Sequence, residues 1–420
     1  MKLERICPFN SADGHVGRTE PGIDASSVVK AGNRIFMSGQ TGQPVRGLLP
    51  ATTDPAELAE RAMDSVSALL DQAGATLADV CKVTTWITDK AYRPAVYNSV
   101  NRFLSVQPTV GTGIVTKGLA LPGMMCNLGI EAVISGPRDH KRFREFDTAQ
   151  WFDQNKLSRR SCMMINTGDE IYLRGQTGTA LDGSKQYGST FTPEDAAEQA
   201  DVAIRNAATL LEEAGGTFDD VAKLHVYIRD RAYREAIYQV IGHHLGAFAP
   251  VSTGLIVGGF ARVPILFEID MAVTLSKGTP HTRIRSFETP AQYKDGQNLQ
   301  SRFSMAIRAG DRVYLRGQTG LTFDGEFTGK GDVSAQVKQA MSNVSELLDE
   351  AGAQFSDICK ITVYVTEREF LPTVEAVIAR HLEQVRPCYT AIVIDGLAMT
   401  CMKVEIYVDA VIHSYRHLFA

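Results

Sequence analysis

YLRGQTG stands at 314–320 and again, letter for letter, at 172–178, and a looser copy, FMSGQTG, stands at 36–42. Each copy leads a short apolar run (Val313 to Leu315, Ile171 to Leu173, Ile35 to Met37) into a turn bracketed by glycine, where backbone can approach a ligand or another segment closely. The copies lie about 140 residues apart, a common domain size, so the 420-residue chain reads as three tandem domains at 1–138, 139–278 and 279–420.

The pattern around the marker repeats as well. Asp54-Pro55, Thr192-Pro193 and Asp332 read as helix starts, followed by apolar residues at helical spacing and an Ala-Gly stop at Gly74, Gly215 and Gly352. A β-branched and aromatic strand follows (from Cys81, Ala222 and Cys359), then a second helix ending near Leu104, Leu245 and Leu382. Pro108, Pro250 and Pro387 restart the chain in extended form before two closing strands. The stretches FDTAQWF at 146–152 and FETPAQY at 287–293 match each other, so the segments between repeats read as leading strands. The fold class is α+β, with helices on one face of a mixed sheet. Strands that are apolar on both sides need cover on the second face as well, and three sheets packed around one axis, an intramolecular pseudo-trimer, supply it.

Composition narrows the function. With 43 basic and 48 acidic residues the net charge is −5, which provides no basic face for nucleic acid and no polybasic membrane anchor. Seven cysteines fall in no CxxC pair or metal framework and read as buried thiols, and no activating histidine marks one as a nucleophile. His243, His244 and His381 lie on helices at spacings that fit no ligand set. No apolar run of signal or spanning length is present, which places the protein in the cytoplasm. No metal and no cofactor is implied, and the expected partner is a small-molecule substrate, with further self-association of pseudo-trimers left open.

The strand, the Ser/Arg-Gly-Gln-Thr turn, the helix ending in Ala-Gly, the Lys-x-Thr strand and the late proline before a final hairpin resemble the RidA family, also called YjgF or the reactive intermediate deaminases. The resemblance covers nearly the whole chain as three copies. It implies three chorismate-mutase-like domains, clefts where neighbouring domains meet, and hydrolysis of enamine or imine intermediates to a keto acid and ammonia. Deaminating members carry an arginine two residues after the late proline; that position reads as Val110, Ser252 and Tyr389 here. The family's glutamate of the last strand reads as Gly129 in the first copy and is kept as Glu268 and Glu405 in the others, so the first repeat looks degenerate.

Arginine stands elsewhere. Ser38 of the first turn becomes Arg174 and Arg316 in the second and third, and Arg160 and Arg302 coincide one strand earlier. A guanidinium fork suits a carboxylate or another planar anion, so these four are candidate substrate clamps. For Arg174 and Arg316 a structural ion pair, with Glu268 and Glu405 themselves, stands as an alternative. Glu268 and Glu405 are the catalytic candidates, placed to handle water or a proton. Gln176, Gln318, Thr253, Tyr389 and Thr390 complete the substrate-contact set, although satisfying backbone groups across a seam suits the glutamines better and packing suits Tyr389 equally. The expected activity is metal-free hydrolysis or deamination of a C–N bond (imine, enamine, amide or ureido) in a small anionic or planar substrate at an inter-domain cleft. The alternative is a non-catalytic small-molecule binder or scaffold. Ribonuclease activity, sometimes attached to the family, is disfavoured by the acidic balance.

Overall fold

A computed structural model describes residues 2–13, 19–42, 52–105, 107–135, 140–148, 160–184, 190–292 and 299–413. It contains one mixed sheet per repeat, each backed on one face by two helices. In the first repeat these are α1 (Pro55–Gln72) and α2 (Arg93–Phe103), in the second α3 (Pro193–Glu213) and α4 (Arg234–Leu245), in the third α5 (Val333–Glu350) and α6 (Leu371–His381). The long helices begin where the sequence says they should. Asp54, Thr192 and Asp332 cap them with their side chains, Thr192 in a reciprocal box with Asp195. They stop where Gly74, Gly215 and Gly352 take positive φ, a conformation that glycine adopts without a Cβ clash.

Strand order is the same in the three sheets. In the third it runs 282–288, 302–309, 312–315, 404–411, 358–365, 388–393, with only the last two strands parallel. Leading strands do precede the marker in the second and third repeats, at Lys141–Phe143 and Thr282–Glu288, while residues 149–159 and 293–298 of the matched segments lie outside the described residues.

The parallel edge strand of each sheet reaches the next repeat. Val115 bridges to Gly259, Ile256 to Gly396, and Val393 pairs with Gly118, which closes the third repeat onto the first. At the other end of these strands Cys162 N donates to Thr109 O, Ser304 N to Pro250 O and Ser26 N to Pro387 O, at 3.4, 3.2 and 3.0 Å. Edges that would otherwise expose unpaired backbone are thereby covered in a cycle.

Between the inner faces Trp86 meets Tyr227 at 5.8 Å and Tyr364 at 6.1 Å, three residues at one register position. Further along the strands, past Thr84, His225 and Thr362, stand Lys82, Lys223 and Lys360, and Lys82 and Lys360 line a cavity of about 100 Å³ to which all three repeats contribute. Lys82 pairs with Asp270 across the first and second repeats, and Lys223 donates to Leu315 O at 3.0 Å across the second and third. Glu170 accepts from Arg34 of the first repeat at 2.9 Å and from Arg312 of the third at 2.8 Å. Arg312 also reaches Asp409 at 3.3 Å.

Arg312 is buried and holds two carboxylates from two repeats, so Arg312→Met leaves buried negative charge undercompensated and costs about 3 kcal/mol or more. Urea denaturation measures this; a loss within about 0.5 kcal/mol would show that Arg34 alone suffices for Glu170.

Candidate active site

The clefts form at three seams, and strand register establishes which residues correspond. In the last strand of each repeat Asn127 pairs with Trp86, Glu268 with Tyr227 and Glu405 with Tyr364. The first-repeat counterpart of the two glutamates is therefore Asn127, not Gly129. Along the parallel edge Lys82 faces Val110, Lys223 faces Val251 and Lys360 faces Cys388, so Gly111, not Val110, corresponds to Ser252 and Tyr389. Thr109 occupies the place of Pro250 and Pro387, as its carbonyl contact shows.

At the first seam α2 of the first repeat supplies Arg93 and Tyr97, and the edge strand supplies Thr112; the second repeat supplies Arg174 and Glu268, around a cavity of about 50 Å³. At the second seam Arg234, Tyr238 and Ser252 meet Arg316 and Glu405 around only about 20 Å³. The first and second seams thus each hold two guanidiniums and one carboxyl. The arginines are seated on aromatic faces: Arg93 over Tyr97 at 4.8 Å and Arg234 over Tyr238 at 4.7 Å, Arg174 over Phe146 at 5.4 Å and Arg316 over Phe287 at 5.6 Å. The planar side chains are held before any ligand arrives.

The marker turn explains itself here. A Cβ on Gly175 would lie 2.1 Å from Glu268 Oε1, and one on Gly317 would lie 1.7 Å from Glu405 Oε1. The glycine lets a buried carboxyl lie directly on the backbone. Burial pushes the Glu268 carboxyl up to about 8, with Arg174 opposing, and Glu405 up to about 7, with Arg316 and Lys223 opposing. Both are therefore poised near neutrality, as a group that must give and take a proton should be.

The other anticipated residues divide. Gln176 and Gln318 turn their amides back onto the carbonyls of Arg174 and Arg316, each at 2.7 Å, as Gln40 does onto Ser38 at 2.8 Å. That serves the turn. Arg160 and Arg302 face outward in pairs with Glu145 and Glu288, half or more exposed, and line none of the seams. Thr253 is fully buried behind the second seam and stays out of its lining. Tyr389 and Thr390 belong to the third seam, where Tyr389 donates to Glu375 and Gly39 N donates to Thr390 Oγ1 at 2.9 Å. Cys126 is buried and its thiol is pushed up to about 12, unsuited to a thiolate. Arg93 and Arg234 went unnoticed in the sequence although AYR recurs at 91–93 and 232–234, because a charge in the first turn of a helix reads as solvated.

The sequence profile described as Endoribonuclease L-PSP matches residues 21–111, 142–275 and 296–412, one copy in each repeat. The chain belongs to that family. Among its relatives, a RutC family protein of Pyrococcus abyssi is 27% identical over 95 residues, 23% of this chain and 75% of its own. A 2-iminobutanoate/2-iminopropanoate deaminase of Mus musculus is 28% identical over 89 residues, 21% of this chain and 66% of its own. A chorismatase crystal structure shares the fold across several repeats, with a TM-score of 0.51 at 16% identity, covering 79% of this chain and 93% of that one. Among the described residues no helix is long and apolar enough to cross a membrane.

Glu268 is expected to leave a pH signature on stability. Folded, it keeps its proton up to about 8; unfolded, it loses it near the ordinary 4.5, so between these values the native state binds more protons. Stability then falls as pH rises, by up to about 1.4 kcal/mol per unit from this group. Glu268→Gln should flatten that decline in denaturation curves taken from pH 5 to 9; an unchanged slope would refute the burial argument.

Proposed function

We propose that the chain is an intramolecular pseudo-trimer whose first seam hydrolyses a C–N bond of imine or enamine type in a small carboxylate substrate. The observation that carries this is the Glu268 carboxyl lying on Gly175, with a proton affinity near neutrality, beside Arg174 and across the seam from Arg93. The deaminase relatives supply the reaction type, and the geometry supplies groups for it.

Arg93 and Arg174 take the substrate carboxylate in place of the arginine that deaminating relatives carry on the edge strand, where Gly111 leaves no side chain. Protonated Glu268 gives its proton to an imine nitrogen or, for an enamine, to the β-carbon. The resulting carboxylate then accepts a proton from the water that attacks the iminium carbon. A carbinolamine forms; Glu268 gives the proton to nitrogen, the C–N bond breaks as the carbinolamine hydroxyl hands its proton back to Glu268, and ammonia and a keto acid leave. Positioning and charge do the work, with no covalent intermediate. The second seam has the same groups in less space and acts as the lesser copy. The net charge of −5 speaks against a nucleic-acid strand as substrate.

Ammonia and keto acid release from 2-iminopropanoate, generated in situ, tests this. Glu268→Gln is expected to lower kcat by about 10²-fold or more, Arg174→Gln to act mainly on KM, and kcat/KM to fall as pH rises through about 8. A larger loss in Glu405→Gln than in Glu268→Gln would move the active site to the second seam. Ligand-induced thermal stabilisation without turnover of any imine, enamine, amide or ureido acid would favour a non-catalytic binder.

A further inference from the structure

The third seam, between the third and first repeats, departs from the other two at every charged position at once. Where they have Arg174 or Arg316 it has Ser38; where they have Arg93 or Arg234 it has Leu371; where they have Glu268 or Glu405 it has Asn127. It is also the largest, at about 140 Å³ against about 50 and 20 Å³.

The seam is built rather than collapsed. Ser38 Oγ donates to Ser26 O at 2.8 Å and accepts from Tyr389 N at 2.9 Å, which locks the marker turn to the edge strand. Tyr389 and Ser11 donate to the two oxygens of Glu375, each at 2.5 Å, so the carboxylate is fixed in the wall. Glu375 stands where the other seams have Tyr97 and Tyr238. Those tyrosines lie on Gly113 and Gly254; with glutamate in their place, Ala391 fits. Asn127 is 5% exposed, lies flat on Gly39, and its Oδ1 accepts no hydrogen bond. A buried acceptor without a donor costs free energy, and a ligand that supplies an N–H recovers it. The lining is mixed, and Phe9, Leu121, Met124 and Ala391 give it an apolar part.

We infer that the third seam binds an uncharged, ring-sized molecule bearing an amide N–H, which donates to Asn127 while its ring packs on the apolar wall. The volume is close to the roughly 150 Å³ of a cavity that takes up benzene. The absence of guanidinium at the two exchanged arginine positions, with Glu375 and Asp13 in the wall, selects against carboxylates. This site is independent of the chemistry proposed for the first seam.

Calorimetric titration of the full chain with benzamide and benzoate tests the inference. Benzamide should bind at one site per chain; Asn127→Leu should weaken it at least tenfold with the melting temperature retained, and Ala391→Leu should do the same by filling the pocket should Asn127→Leu fail to fold. Benzoate should show no binding that depends on Asn127 or Ala391. Benzoate binding at that site as tightly as benzamide, benzamide binding indifferent to both substitutions, or no benzamide binding up to its solubility limit would each overturn it.

Discussion

Everything in the molecule hangs on how three sheets bury their inner faces against one another, and Glu170 is where that is settled. It occupies the same position before the marker turn as Arg34 and Arg312, and it accepts hydrogen bonds from both. Three identical chains around an axis would bring three like charges together at that point, at a cost several kcal/mol above that of a matched set. A single chain escapes the symmetry: arginine, glutamate and arginine alternate. Asp409 accepts from Arg312 and the half-exposed Asp311 from Arg34, and Tyr172 donates to Glu170 at 2.7 Å. Burial alone would push the Glu170 carboxyl up, yet Arg312 and Arg34 bring it below its ordinary value.

The charges of the centre reach outward to the seams. Asp270, paired with Lys82, also accepts from Thr112 Oγ1 at 3.0 Å, and Thr112 lines the first seam beside Gly175. The negative charge of Asp270 adds to burial in raising Glu268. At the second seam the equivalent influence runs through Lys223, itself pushed down to about 7 by burial, which opposes the rise of Glu405. The two seams share their guanidiniums and carboxyl but differ in what stands behind the carboxyl. That difference has its origin in the exchange of Asp270 for Tyr407 on the inner face.

Much of this was legible in the sequence because it depends on local signals. The marker turn, the capped helices, the Ala-Gly stops and the order of strands follow from periodicity, capping and turn chemistry. What went astray was register. Matching Gly129 to the family glutamate is a slip of two residues, and because side chains alternate along a strand such a slip keeps every residue on its face and leaves the apolar pattern intact. Only the ladder pairing of Asn127 with Trp86 exposes it. The shift from Val110 to Gly111 arose from anchoring on proline, whereas the structure uses the carbonyl at that place, which Thr109 provides as well as proline does. Arg160 and Arg302 matched each other in sequence, but coincidence between repeats fixes a position and not the direction of a side chain.

These corrections also change what has diverged. Read repeat by repeat, the first copy looks degenerate, since its turn and its last strand lack the charged residues. Read seam by seam, the same repeat gives Arg93, Tyr97 and Thr112 to a fully furnished first seam, and Ser38 and Asn127 to the third. The third repeat is likewise divided, giving Arg316 and Glu405 to one seam and Glu375 and Tyr389 to another. A guanidinium clamp facing a carboxyl across a seam is useful only when both halves are present, because a buried charge that loses its partner is costly. The exchange of charged for uncharged residues thus follows the seams rather than the repeats. That is why Ser38, Asn127 and Leu371, drawn from two repeats, stand together as uncharged residues at one seam while their counterparts stay charged at the other two.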